Sequence, residues 1–315
     1  MSLISGLNIN PEQIPVSLRA GLLILSGVFL LGLSDNLVLL INDETGIWQF
    51  HAIRSLITSI LIVGIAVFFK HDVRPKNLLP VAIRSLLLSG AMICYFGGLS
   101  FLSVAEAGAG LFLSPIFVLI FSVIIFKIRI GIFRIVAVLI GSLGVFILLE
   151  PDLTKIHLMQ IIPLLAGVFY AMAALYTRHY CREESALGLT LSYLIAIGMI
   201  GAIVATIFWF IPLKHQNSSE MYIFFQGWRI VNIRFLIWIT FQAVLTVTAL
   251  ALITRAYQMI DTSILAVYEY GFLIFAAFWG WLLWSTVLGL SEITGIVLIM
   301  AAGIIIIVRS ARMIS

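Results

Sequence analysis

The chain has 315 residues, of which 62% are hydrophobic and only 10% are charged. Soluble globular domains carry about 25% charged residues, so this composition excludes an ordinary soluble protein. The net charge of +4 does not point to nucleic acid as a partner, and the two cysteines do not form a disulfide framework, since Cys94 falls within an apolar run and Cys181 in a polar gap.

Ten apolar stretches of membrane-spanning length follow one another, separated by short polar gaps. A bilayer core about 30 Å thick needs about 20 residues of helix to cross it, and runs this long and continuous indicate helices. The sequence therefore predicts an all-α integral membrane protein with ten transmembrane helices. The predicted spans, in chain order, are 18–41, 47–69, 78–100, 104–126, 132–149, 157–178, 186–211, 233–255, 262–284 and 290–308.

Lysine and arginine residues are distributed unequally between the two ends of this predicted bundle. If the amino terminus is cytoplasmic, 13 of the 18 basic residues, including Arg84, lie in cytoplasmic segments, 4 lie on the opposite side, and Arg54 lies within a span. Because basic residues accumulate on the cytoplasmic side, both termini are predicted to be cytoplasmic. Short loops and the lack of extensions favour a bacterial inner membrane over an organelle.

The two halves of the chain resemble each other. Residues 96–115 align without gaps with residues 251–270. The aligned pairs include an acidic residue at the start of each apolar run and a two-residue segment further along: Glu106 with Asp261, and Ser114-Pro115 with Glu269-Tyr270. Each acidic residue is expected to interact with the positive end of the helix that it begins.

Five spans lie on either side of a midpoint near Pro151. An odd number of spans per half forces the second half to insert with the opposite orientation. The sequence therefore predicts two inverted five-helix repeats, residues 1–150 and residues 151–315. Inverted repeats are typical of transporters, which bind their substrate near the bilayer midplane between the halves.

Asp35 lies late in the first span, and Arg54 follows in the second after a short loop. Residues 99–126 contain a run of small residues followed by a proline, and residues 254–284 form the matching part of the second half. In this order and spacing, the chain resembles EamA-type members of the drug/metabolite transporter superfamily. The resemblance implies a ten-helix carrier of small metabolites, and the segment 268–270 is similar to the branch that contains S-adenosylmethionine carriers.

The chain departs from the family pattern at two positions. Relatives often have a glycine-glutamate pair after the fourth and ninth spans. This chain has Phe126-Lys127-Ile128-Arg129 and Trp284-Ser285-Thr286 there. Whatever that glutamate does in relatives is therefore not expected of this protein.

Asp35 and Arg54 are the first candidate substrate-binding residues. At about 1.5 Å per residue, both lie roughly 10 Å below the outer ends of their helices, which the short loop 42–46 makes antiparallel neighbours. We therefore expect an ion pair, either direct or through the substrate. His51 lies on the same helix face as Arg54 and joins the candidates. The pair has two interpretations: a static link between two helices, or a gate or clamp on the outer side.

Glu269 lies near the middle of the ninth span, where a charged side chain costs about 2.5 kcal/mol or more. It is the candidate for proton coupling or for binding a cationic substrate. Alternatively, it is a protonated carboxyl group that hydrogen bonds to a neighbouring helix. The remaining candidates are aromatic residues within spans that could line a cavity: Tyr95, Tyr170, Tyr193, Tyr268 and Trp279.

These patterns favour a secondary active transporter that carries a small polar metabolite by alternating access, driven by a proton gradient, by another substrate gradient or by exchange. The chain has no GxxxxGK[ST] loop for nucleotide-driven pumping. The alternative is a membrane-embedded enzyme acting on lipid or peptide, and a third class is a structural or receptor protein. The sequence predicts no catalytic residue, metal or cofactor. Its expected partners are a small-molecule substrate and membrane lipids but no nucleic acid, and it leaves a homodimer open.

Overall fold

The computed structural model describes residues 15–38, 40, 44–98, 108, 110–149, 161–211 and 225–312. Within these ranges all regular secondary structure is helical, as predicted. The helices with assigned bounds are, in chain order, α1 (Val16–Val38), α2 (Ile47–Phe68), α3 (Leu78–Gly98), α4 (Ser114–Ile124), α5 (Ile132–Leu149), α6 (Ile161–Tyr180), α7 (Ala186–Phe210), α8 (Ile233–Met259), α9 (Thr262–Glu269), α10 (Gly271–Trp284) and α11 (Leu290–Arg312).

Eight helical segments of the described chain are long and apolar enough to cross a membrane, with α9 and α10 counted together as Thr262–Trp284. Two shorter apolar segments, Gly110–Ile124 and Leu290–Ile306, fall within the fourth and tenth predicted spans. The protein is therefore a multi-pass membrane protein. The eighth helix continues to Met259 rather than ending near residue 255, because the buried side chains of Tyr257 and Gln258 give its last turn an interior face.

Two of the predicted spans are interrupted, which their uniform hydrophobicity did not indicate. In the fourth span a turn at Leu113 precedes Ser114, and Pro115 has no N–H with which to continue the helical ladder. In the ninth span α9 ends at Glu269, and α10 begins at Gly271. The sequence alignment had matched these two positions, Ser114-Pro115 with Glu269-Tyr270.

The main helix pairings join the two halves of the chain. The pairs are α1 with α8, α2 with α7, α3 with α6, and α5 with α11, supplemented by α1 with α10 and α4 with α6. If each span of the first half is exchanged with the corresponding span of the second half, the same set of pairs results. Glycine residues allow α5 and α11 to approach each other closely. A Cβ atom on Gly144 of α5 would lie 2.8 Å from the carbonyl oxygen of Gly295 in α11.

The connections 69–77, 125–131, 181–185 and 260–261 lie together at one end of the bundle, called the basic end below. Arg134 and Asp261 form an ion pair there, with 3.3 Å between Nη1 and Oδ2. Asp261 occupies the N-cap position of α9, but its side chain makes no capping hydrogen bond, because it is directed to Arg134. Glu106, its predicted counterpart, lies outside the described residues.

Candidate functional site

A cavity of about 230 Å³ lies inside the bundle, between helices of both halves. Both helix interruptions border it, through Ser114 and Pro115 on one side and Glu269 and Tyr270 on the other. Most of its wall is apolar, and a few polar groups converge on it, which is typical of a small-molecule site. Its charged and tyrosine lining residues are Asp35, Arg54, Arg84, Tyr95, Tyr170, Tyr193, Tyr257, Glu269 and Tyr270.

Asp35 and Arg54 both face this cavity, but the predicted direct ion pair is not formed. Arg54 is directed toward its own helix, where Nη2 lies 3.2 Å from Nδ1 of His51 and the guanidinium carbon lies 4.9 Å from the ring centre of Phe50. The side chain of Asp35 is exposed to the cavity, and within the described chain its carboxylate makes no hydrogen bond or ion pair. The carboxylate is thus open to a ligand.

His51 does not line the cavity. It is 1% exposed, its ring packs against Phe96 of α3 at 4.7 Å between centres, and its Cβ atom is close to Gly201 of α7. The contact from Nδ1 to Arg54 makes it a residue that orients the guanidinium. Its Nε2 atom is buried and has no hydrogen bond partner among the described residues.

Glu269 lies at the end of α9, where it meets α6 and α8. The Tyr170 hydroxyl donates a hydrogen bond of 2.5 Å to Oε1 of Glu269. The side chain of Tyr257, in α8, lines the same cavity, but its buried hydroxyl has no hydrogen bond partner among the described residues. Tyr270, the next residue after Glu269, is held elsewhere by a 2.7 Å hydrogen bond to Ser142 of α5. Tyr170 therefore links this carboxyl group to a neighbouring helix, α6.

Arg84 is a site residue that the sequence analysis placed in a cytoplasmic segment, and that placement is wrong. Its side chain is only 5% exposed and lines the cavity. Nε donates to Thr177 Oγ1 at 3.1 Å, Nη1 to the Leu189 carbonyl oxygen at 2.8 Å, and Nη2 to Thr254 Oγ1 at 3.2 Å. Arg84 thus joins α3 to three other helices and has no carboxylate partner within the described chain.

The interior position of Arg84 could have been predicted from its depth within the apolar span. It is the seventh residue of the predicted span 78–100, and Ser85 and Ser89 follow on nearby helix positions. An arginine this far into an apolar span needs polar partners. Arg84 should therefore have been grouped with Arg54, as an arginine within a span, and not with the basic residues of the loops. Tyr257 was missed as well, because it lies beyond residue 255, the predicted end of the eighth span.

The structure brings together six of the nine predicted site residues. These six cavity-lining residues are Asp35, Arg54, Tyr95, Tyr170, Tyr193 and Glu269. Besides His51, two others lie outside the cavity: the ring of Tyr268 packs against Gly21, and Trp279 donates a 3.1 Å hydrogen bond to the carbonyl oxygen of Phe29. No cluster of three metal-binding side chains occurs in the part of the chain that the structure describes.

Side-chain hydrogen bonds join the connections at the basic end to one another. The carboxylate of Glu184 accepts hydrogen bonds from the backbone N–H groups of Lys76 and Asn77, at 2.9 and 2.8 Å, at the start of α3. The side-chain amide of Gln258 donates to the carbonyl oxygens of Cys181 and Glu184, both at 2.8 Å. Cys181 is fully buried in this turn, and burial raises the pKa of its thiol to about 11.

Residues 18–150 match the model of the EamA-like transporter family. The chain is 26% identical over 221 residues to the pseudopaline exporter CntI of Pseudomonas aeruginosa, and the alignment covers 70% of this chain and 72% of that protein. It is 22% identical over 263 residues to an S-adenosylmethionine uptake transporter of Rickettsia bellii, which covers 83% and 84%. The resemblance read from the sequence is thereby confirmed.

The fold also matches a known one. A protein crystal structure aligns with this chain at a TM-score of 0.71 and 14% sequence identity, covering 95% of this chain and 98% of the other. At this identity the match concerns the fold alone. It extends over the second half of the chain, beyond the residues that the family model matches.

Proposed function

We propose that this protein, whose residues 18–150 match the EamA-like transporter family, is a secondary active transporter of a small polar metabolite. The observation that carries the proposal is the central cavity: it lies at two helix interruptions and holds the carboxylate of Asp35, which has no ion-pair partner among the described residues. Interrupted helices at the bundle centre are a common way to build transporter sites, since they free backbone groups for a ligand. The relatives are named as transporters, which favours a carrier over a membrane enzyme.

The charges of the cavity define the ligand. Asp35 attracts a cationic group, whereas Arg54 and Arg84 attract an anionic one. All three side chains line the same cavity of about 230 Å³, so the opposite charges lie within reach of one small molecule. The substrate is therefore a zwitterionic metabolite that bridges Asp35 and Arg54, which is the indirect form of the predicted pair.

Transport proceeds by alternating access between two inverted five-helix repeats, residues 1–150 and 151–315. The symmetric helix pairings and the paired interruptions support this layout. In the present state the hydrogen bonds of Glu184 and Gln258 close the basic end, so release on that side requires them to break. Glu269 is the coupling residue, because a carboxyl group next to the moving interruption can exchange a proton as the site changes its exposure.

The basic end is the cytoplasmic side, with both termini on it, and the membrane is a bacterial inner membrane. The support is the concentration of lysine and arginine in the connections at that end. Bacterial relatives at 22–26% identity agree with this assignment.

A melting experiment tests the proposal. The purified protein is heated at pH 6 and pH 8 with S-adenosylmethionine, amino acids, amines or nucleotide sugars, and a ligand of the folded state raises the melting temperature. We expect a zwitterion to stabilise the wild type and to lose this effect in Asp35→Asn. The matched control is Asp72→Asn, which removes a carboxylate exposed at the basic end. Equal loss in both variants, or stabilisation by no zwitterion, would contradict the proposed site.

A further inference from the structure

A second concave region lies on the outer surface of the bundle, between α4 and α5. It is a groove of about 750 Å³, and none of its lining residues lines the central cavity. Both walls are apolar, and several wall side chains are exposed. The walls are formed by Ile116, Leu119, Ile120 and Val123 of α4 and by Ile135, Val138 and Leu139 of α5.

Two cations stand at one end of this groove. Lys127 and Arg129, from the connection between α4 and α5, line it at the basic end, and both are exposed. Within the described residues neither side chain makes a hydrogen bond or an ion pair. Arg134, also at the basic end, is by contrast paired with Asp261. The groove thus combines apolar walls with two cations that have no partner in the part of the chain that the structure describes.

The backbone of this connection forms a defined turn at Lys127. Lys127 adopts a left-handed conformation with φ of 52°, and the N–H of Ile128 donates to the carbonyl oxygen of Ser122 at 2.9 Å. Ser285, which ends the ninth span, has the same conformation with φ of 54° but carries no charge. The turn itself therefore does not require a cation at position 127.

We propose that this groove binds an anionic phospholipid, with the phosphate between Lys127 and Arg129 and an acyl chain along the apolar walls. Basic pockets between transmembrane helices bind anionic head groups in this way. The position of the cations at one end of the apolar walls matches the two parts of such a lipid: charge at the interface and hydrocarbon below it. The site does not depend on the transported substrate.

Native mass spectrometry of the purified protein tests this proposal with phosphatidylglycerol and, as the neutral comparison, phosphatidylcholine. We expect tighter binding of phosphatidylglycerol, and a loss of about 25-fold in its affinity in the double variant Lys127→Gln, Arg129→Gln, from about fivefold per cation. The control is Lys70→Gln, Arg74→Gln, which removes two exposed charges from the same end but not from the groove. Similar losses in both doubles would overturn the proposal, as would equal binding of the two lipids.

A third variant tests the apolar part of the site. Leu139→Trp fills the groove and leaves both cations in place, and it is tolerated because Leu139 is 56% exposed. We expect it to weaken phosphatidylglycerol binding at least about fivefold. Unchanged affinity would mean that the charges act without the groove. A protein that runs as a dimer, dissociates in the double variant and binds no lipid would show instead that a second copy covers this face.

Discussion

The hydroxyl of Tyr170 donates a hydrogen bond to the carboxylate of Glu269, and this contact joins α6 to the interruption between α9 and α10. Tyr170 and Glu269 also line the cavity that holds Asp35 and Arg54. A ligand in that cavity therefore contacts α6 and the interruption between α9 and α10, which the hydrogen bond from Tyr170 to Glu269 links. This relationship connects the proposed coupling residue to the proposed substrate site.

Glu269→Gln is expected to abolish the pH dependence of transport while the protein stays folded. The amide is nearly isosteric and its oxygen still accepts the hydrogen bond from Tyr170, but it cannot exchange a proton. Transport of the metabolite that stabilises the wild type is measured in proteoliposomes between pH 5.5 and 8. A variant with the pH profile of the wild type would show that Glu269 does not couple transport to protons.

Asp35→Asn and Arg54→Ala are expected to be coupled in ligand binding but hardly in stability. Since the two side chains make no direct ion pair, their stability effects should add within about 0.5 kcal/mol. A bridging zwitterion should instead give a coupling of about 1 kcal/mol or more in a double-mutant cycle of ligand affinity. Strong coupling in the ligand-free protein would favour the static helix link.

Arg84→Ala is expected to destabilise the protein by at least about 2 kcal/mol, because it removes three hydrogen bonds from a charged donor and leaves buried acceptors on three helices. Arg182→Ala, which removes an exposed arginine, should stay within about 0.5 kcal/mol of the wild type. Chemical denaturation in detergent compares the two. Equal effects would mean that Arg84 does not hold the bundle together.

Cys181 provides a reporter of the closed basic end. In a Cys94→Ser background the thiol should react slowly with a maleimide, because it is buried and its pKa is raised to about 11. Since the thiolate is the nucleophile, the rate should rise about tenfold per pH unit between pH 7 and 9.

Gln258→Ala removes the two hydrogen bonds that hold the 181–185 turn, and it should accelerate labelling of Cys181 at least about tenfold. The matched change is Gln226→Ala, another buried glutamine in the segment that precedes α8, away from the basic end. If both variants label at the wild-type rate, then the hydrogen bonds of Gln258 do not close this end.

Gly295→Ala should destabilise the α5–α11 pair by about 1–3 kcal/mol, since its Cβ atom would lie 2.6 Å from the carbonyl oxygen of Gly144. Gly303, on the same helix, has nothing within 4 Å of an added Cβ atom. Gly303→Ala should therefore be neutral or stabilise the helix by up to about 1 kcal/mol. Melting temperatures compare the two variants, and a reversed order would exclude close backbone contact at Gly295.

The order and helical character of the apolar segments followed from the sequence, because the length of an apolar run against the bilayer thickness is a local property. The candidates Asp35, Arg54 and Glu269 followed for the same reason, since a charge within an apolar run is visible in the chain itself. The partners of these residues were not visible. A partner depends on which helices become neighbours and on which way each side chain turns.

Only the tertiary structure decided how those charges are used. It separated Arg54 from Asp35, because His51 and Phe50 hold the guanidinium on its own helix. It drew Arg84 into the interior, where acceptors from three helices converge on it. Hydrophobicity along the chain determines what enters the membrane, whereas the packing of helices that are distant in sequence determines which polar groups meet there.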